Sequence, residues 1–245
     1  MKILLAPSES KTFGGSGKLD LNSLIFNNLT PKREELIDSY QAILNQANLE
    51  ELKELFGLKK EEEIKKYIVD IYKEPVKKAI KRYSGVAFDY LDYNSLDNKA
   101  KEYVDSNLLI FSNLFGVLRA SDLIPLYRLK QGASINGVKV ENFYNPILKE
   151  PLDDYLRDED ILDLRAKYYE KFYKPTKSYT TLKFLKNKKV VSHWAKAYRG
   201  MVLRECAINK VSSIEEFLKI DFPNLQIIEI IEKKSYKEII YSIID

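Results

Sequence analysis

The stretch Leu108–Lys130, LLIFSNLFGVLRASDLIPLYRLK, decides how the rest of the chain is read. Leu108–Phe111 is a short apolar run suited to a strand buried on both faces, and Gly116 interrupts the next apolar run where the backbone must turn. Strands of this kind sit in a sheet covered by helices. Arg119 and Arg128 then flank Asp122 and Pro125. Two guanidiniums about a turn form either a planar fork for phosphate or carboxylate, which lysine cannot imitate, or two separate ion pairs with nearby acids.

On the N-terminal side, Lys2–Ala6 is another apolar strand, running into Pro7-Ser8-Glu9-Ser10-Lys11-Thr12 and a glycine-rich segment at 14–17. Hydroxyl and lysine groups on a loop after a strand are well placed to meet a ligand. The glycines follow the lysine, so this is not a phosphate-binding P-loop. From Pro31 to Tyr83 the pattern is helical, with Thr30 as N-cap and Leu36, Ile37, Tyr40, Ile43 and Leu44 at helical spacing. Leu52–Leu58 and Ile64 suggest two short helices joined at Gly57. Their order resembles a helix-hairpin-helix, which offers backbone N–H groups to DNA phosphates. Lys59 stands where a second glycine is usual, and Glu61, Glu62 and Glu63 would repel phosphate, so a plain helix–turn–helix packing unit is the alternative. Glu74-Pro75 opens a helix that stops at Ser84-Gly85, Val86–Tyr90 reads as a short strand or extended link, and Asn98–Val104 as a helix.

On the C-terminal side, Asn136-Gly137 is the strongest short hairpin signal in the chain. A helix is expected from about Asn142 to Leu156 and a strand at Ile161–Leu164. Aromatic and basic residues interleave over Arg165–Pro175, either as a surface that stacks bases and neutralises phosphates or as an amphipathic helix with its tyrosines in the core. Lys189–Trp194 reads as a strand, and the helix after it carries Lys196, Arg199 and Arg204 at spacings of three and five. His193 fits a structural histidine and Cys206 a core residue, and no catalytic triad is evident. Isoleucine and tyrosine content and the break at Lys233-Lys234-Ser235 favour a closing β-hairpin over a helix.

Phe115-Gly116-Val117-Leu118-Arg119, followed by Asp122-Leu123 and Tyr127-Arg128-Leu129, resembles the signature of the YaaA family of bacterial peroxide-stress proteins. Pro7–Thr12, Arg165–Pro175 and the Ala195-Lys196 pair with Arg199-Gly200 carry the same resemblance, which extends from the first strand to the C-terminal hairpin. It implies that Lys11 lies in a cleft and that the protein binds DNA, protects against peroxide and restrains intracellular iron. Many members end the post-strand motif in an acid and a tyrosine, whereas Arg165 and Tyr168 stand there in this chain.

With 245 residues, 45% hydrophobic and 31% charged, the chain is long enough for one large domain. The expectation is a single α/β domain with α+β character, a mixed sheet flanked by helices, a helical subregion at 31–83 and a C-terminal β-hairpin. No apolar run approaches a membrane span and the MKILLAP start is too short for a signal peptide, so a cytoplasmic protein is expected. One cysteine and one histidine leave no His/Cys metal cluster, and no metal or cofactor is expected. Net charge is only +4, but residues 161–210 hold 13 Lys/Arg against 3 Asp/Glu, a local +10. The expected partner is double-stranded DNA, junctions included, held by its backbone in a basic cleft of Lys11, Arg119, Arg128, Lys167, Lys196, Arg199 and Arg204. The alternative is an enzyme acting on a nucleotide or other anionic small molecule in the same cleft, with a carboxylate or Tyr127 assisting proton transfer. A pocket too narrow for a duplex favours the second, and an open groove of duplex width the first.

Overall fold

The computed structural model describes residues 1–244, apart from the side chains of Ser192 and His193, so the assignment of His193 lies outside the described residues. The chain runs from β1 (Lys2–Leu5) through α1 (Thr30–Gln46), α2 (Leu49–Phe56) and α3 (Glu61–Lys65) to β2 (Lys77–Lys78), α4 (Ala79–Arg82), α5 (Val86–Leu91) and α6 (Asn98–Asn107). The central stretch supplies β3 (Leu108–Ser112), β4 (Gly116–Arg119) and β5 (Leu123–Ile124), before the β6 (Ser134–Ile135) and β7 (Val138–Lys139) hairpin and α7 (Val140–Tyr155). The last third contributes β8 (Ile161–Asp163), β9 (Tyr179–Lys186), β10 (Lys189–Val190), α8 (Ser192–Asn209), α9 (Ile214–Phe217), β11 (Leu225–Glu232) and β12 (Tyr236–Ile243).

The result is a mixed α/β fold built on one mostly parallel sheet, ordered β11-β12-β9-β8-β1-β3-β4 with β10 beside β9. β3, β1, β8, β9 and β12 pair in parallel, while β4 and β11 close the two edges antiparallel, β11 as one arm of the expected C-terminal hairpin. Every residue of β3 is buried and β1 is nearly so, which accounts for their unbroken apolar runs. After β1 the chain leads towards β3, whereas after β8 it leads towards β9 on the other side of β1. The carboxyl ends of β1 and β8 therefore flank a topological switch point, where open α/β sheets form their ligand crevice.

The helical subregion is tied to this sheet by buried arginines. Arg33 of α1 donates Nε to the Phe115 carbonyl at 3.1 Å and Nη2 to that of Val117 at 3.0 Å. Arg82 of α4 donates to the carbonyls of Ile124, Thr12 and Pro75. Thr30 begins α1 rather than capping it, its hydroxyl donating to the Leu21 carbonyl. Asn136 and Gly137 take φ of 50° and 78°, the left-handed pair that a two-residue hairpin needs.

Further local expectations are corrected. Val86–Tyr90 is helical, because Gly85 at φ +109° turns the chain and α5 then packs face-on against α8. Lys189–Trp194 holds a strand only at Lys189–Val190, and α8 begins at Ser192. The long parallel strand Tyr179–Lys186 was not foreseen. Between α2 and α3 a glycine turn does form, at φ +63°, but the N–H groups of Gly57 and Leu58 both go to the Lys53 carbonyl and the Leu55 carbonyl accepts from Lys130 N. Those two donors are spent inside the helix end, so the arrangement is a packed helical turn and a helix-hairpin-helix is not shown.

Candidate anion-binding cleft

A cleft of about 390 Å³ opens at the switch point, walled by residues 5–10 after β1 and by Leu164, Ala166 and Tyr169 after β8. Gly85–Phe88 of the α5 turn, Arg128, Gln131, Lys196 and Arg199 complete it. The walls close tightly at two glycines, Gly85 against the Ser8 side chain and Gly200 against the α5 backbone. A Cβ on Gly85 would lie 3.1 Å from Ser8 Oγ, and one on Gly200 would lie 2.1 Å from the Ala87 carbonyl oxygen.

Lys196 and Arg199 project from α8 one turn apart and line the cleft, and among the described residues neither makes an ion pair. Burial lowers the Arg199 pKa, and nearby Asp163 opposes that shift. A guanidinium remains charged under such a shift, so Arg199 presents a poorly hydrated cation to the cleft. Arg128 forms the opposite wall. It donates Nε to the Phe56 carbonyl at 2.8 Å, Nη1 to the Glu9 carbonyl at 3.1 Å and Nη2 to Glu9 Oε2 at 3.2 Å. Glu9 Oε1 also accepts from Gln131 N at 2.9 Å, which fixes the loop after β1.

Lys11 lies beneath that loop, 6% exposed, with Nζ donating to the carbonyls of Ser8 at 3.1 Å and Glu9 at 3.3 Å. The amine sits 4.0 Å from the centre of the Tyr127 ring and 5.1 Å from that of Tyr83. Desolvation, and after it the Arg128 charge, holds its pKa well below that of an ordinary lysine. Tyr127 OH is hydrogen-bonded to Tyr83 OH at 2.7 Å and Ser112 Oγ at 2.8 Å. Burial keeps both phenols protonated, Tyr83 pushed up to about 12 and Tyr127 well above the usual tyrosine value.

Arg165 is held by Asp163 at the end of β8. Its two oxygens take Arg165 Nε at 2.9 Å and Nη2 at 2.6 Å, while Arg165 Nη1 donates to the carbonyls of Tyr169 and Tyr173. This buried bidentate pair shapes the 165–173 turn, whose tyrosine Tyr169 enters the cleft.

The candidate cations thus divide. Arg128, Lys196 and Arg199 meet at the cleft, with Lys11 under its wall. Lys167 is exposed and does not line the cleft, although its sequence neighbour Ala166 does. Arg119 lies elsewhere: it pairs with Leu109 at the other end of the sheet and its guanidinium holds Asp122 at 2.9 Å and the Ser23 carbonyl at 3.0 Å. Arg204 caps α5, donating to the carbonyls of Leu91 and Asp92. Both are used up by local acceptors, which is the ion-pair alternative for each. Cys206 is fully buried and burial raises its thiol pKa, as a core residue requires.

Among the described residues no helix is long and apolar enough to cross a membrane. Across residues 1–230 the chain matches the family described as peroxide stress protein YaaA. It is 46% identical to an uncharacterized protein of Campylobacter jejuni over the full length of both chains. It is 35% identical over 221 residues to a UPF0246 protein of Corynebacterium glutamicum, with 86% of each chain covered. It is 32% identical over 214 residues to a UPF0246 protein of Streptomyces coelicolor, covering 83% of this chain and 82% of that one. The chain therefore belongs to the YaaA family of peroxide stress proteins, and its role lies in peroxide stress.

Proposed function

We propose that the protein binds DNA during peroxide stress by its backbone, seating a phosphate at the mouth of the cleft between Arg199, Lys196 and Arg128. The observation that carries this is the pair Lys196 and Arg199, adjacent on α8, lining a concave site and free of described ion pairs. Two cations one helical turn apart repel each other, and an anion between them relieves that repulsion. Neighbouring phosphates would meet Lys167 and the turn of Lys188 and Lys189, part of the local +10 of residues 161–210. No helix enters a base groove in this arrangement, so binding is insensitive to sequence.

A titration of duplex and junction DNA at two salt concentrations tests this. Lys196→Glu with Arg199→Glu is expected to weaken binding to all duplexes alike and to reduce the log–log salt slope by ~2. Unchanged affinity and slope in a folded double variant overturn it. The cleft volume of about 390 Å³ supports a second function, an enzyme on a nucleotide-sized anion, because a duplex cannot enter a space in the range of small-molecule pockets. Competition by free nucleotide but not by duplex would select that function.

A further inference from the structure

Phosphate binding at the cleft mouth leaves the buried amine of Lys11 without a task. Its two acceptors are neutral carbonyls of Ser8 and Glu9, and no described carboxylate forms an ion pair with it. The charged groups around it are Arg128, Arg82 and Glu9, and Glu9 already spends its carboxylate on Arg128 and the Gln131 N–H. The rest of its surroundings are the Tyr83 and Tyr127 rings, whose hydroxyls continue to Ser112 as a hydrogen-bonded chain. An amine in such a place is neutral over a wider pH range than a surface lysine and is nucleophilic towards carbonyl carbon. It is also mechanically linked to the cleft: Arg128 and Lys11 both donate to the same Glu9 carbonyl. Arg128 also holds the Glu9 carboxylate, so an anion that draws Arg128 away from Glu9 would release the segment that covers the amine.

We propose that Lys11 forms an imine with an aldehyde or ketone borne by a phosphate-carrying ligand in this cleft. The Nζ lone pair adds to the carbonyl carbon, the amine gives up its protons to the carbonyl oxygen, and that oxygen leaves as water while the C=N bond forms. Hydrolysis reverses the step, and no oxidant or reductant is involved. The shared chemistry is a carbonyl beside a phosphate, present in small phosphorylated aldehydes and in the sugar of a nucleotide that has lost its base. The inference rests on the cleft being an anion site.

The test incubates the full chain with pyridoxal 5′-phosphate, and separately with a duplex containing one abasic site, followed by borohydride reduction and peptide mass mapping. One adduct per chain at Lys11 is expected, blocked by inorganic phosphate and absent from Lys11→Arg. Its labelling rate should be near its maximum at neutral pH, while surface lysines label faster only as pH approaches their ordinary pKa. Adducts with both probes, or with one alone, support the imine and identify the ligand source. Label spread over exposed lysines with Lys11 unmodified, while phosphate still titrates into the cleft, overturns the imine and leaves the anion site standing. If phosphate neither binds nor protects the unaltered protein, the anion site itself fails.

Discussion

Gly200→Ala separates two physical effects by sign. Inside a helix, alanine for glycine ordinarily gains about 1 kcal/mol from propensity. Gly200 sits within α8, where a Cβ would lie 2.1 Å from the Ala87 carbonyl oxygen, 2.9 Å from its carbon and 3.0 Å from Tyr90 Cβ. The first two are α5 backbone atoms and cannot rotate away, so the helices must separate by about an ångström to restore ordinary contact. Overpacking of this kind costs about 1–3 kcal/mol, and the severity of the contact puts it at the upper end. After the propensity gain the net loss is about 2 kcal/mol. The same displacement moves Ala87 on one wall of the cleft away from Lys196 and Arg199 on the other, so phosphate affinity should fall with stability. Equilibrium denaturation in urea should show a lower midpoint with unchanged slope. A Gly200→Ala protein as stable as the parent, or more stable, would refute the claim that backbone contact between α5 and α8 sets the cleft.

Asp163→Asn should destabilise by about 3–5 kcal/mol, because it leaves the Arg165 guanidinium, 1% exposed, without its charge partner. Adding Arg165→Met to it should recover part of that loss, and strictly additive denaturation free energies would show that the pair is not coupled. Lys11→Met should remove a pH dependence whose sign follows from the depressed native pKa. Between that value and the ordinary lysine pKa the unfolded chain binds more protons than the folded one, so the parent gains stability as pH rises through the window. A parent whose denaturation midpoint is flat or falls there, or a variant that keeps the rise, contradicts this.

The parts of the fold that the sequence disclosed are those where burial alone writes the pattern. A strand covered on both faces must be apolar throughout, and KILL and LLIFS are. The Asn136-Gly137 turn was equally plain, because left-handed φ at two successive positions admits few residues. Val86–Tyr90 misled for the opposite reason: VAFDY has strand propensity, while its helix follows the Gly85 turn and packs where Gly200, more than a hundred residues away, grants the close approach. Tyr179–Lys186 escaped because only the face of Thr180, Leu182 and Phe184 is deeply buried, while Thr181, Lys183 and Leu185 on the other are half-buried.

The site shows the same division more sharply. Where the cleft lies follows from strand order, and the loop after β1 and the α8 cations were evident as motifs. Which arginines serve it did not follow, because a guanidinium's task is decided by its acceptors. Arg119 found Asp122 three residues on, and Arg204 found the last carbonyls of α5, whereas Arg199, on the same helix as Arg204, faces a cavity. Nothing in the sequence marks Arg33 and Arg82, because their acceptors are carbonyls up to 84 residues away, visible only once the loops are folded. Asp163 did leave a signal, a lone carboxylate inside the apolar run ILDL, since an acid is rarely buried in a strand unless something pairs with it. The partner, Arg165, stands two residues further on, and reading the two together would have identified the buried pair that shapes the 165–173 turn beside the cleft.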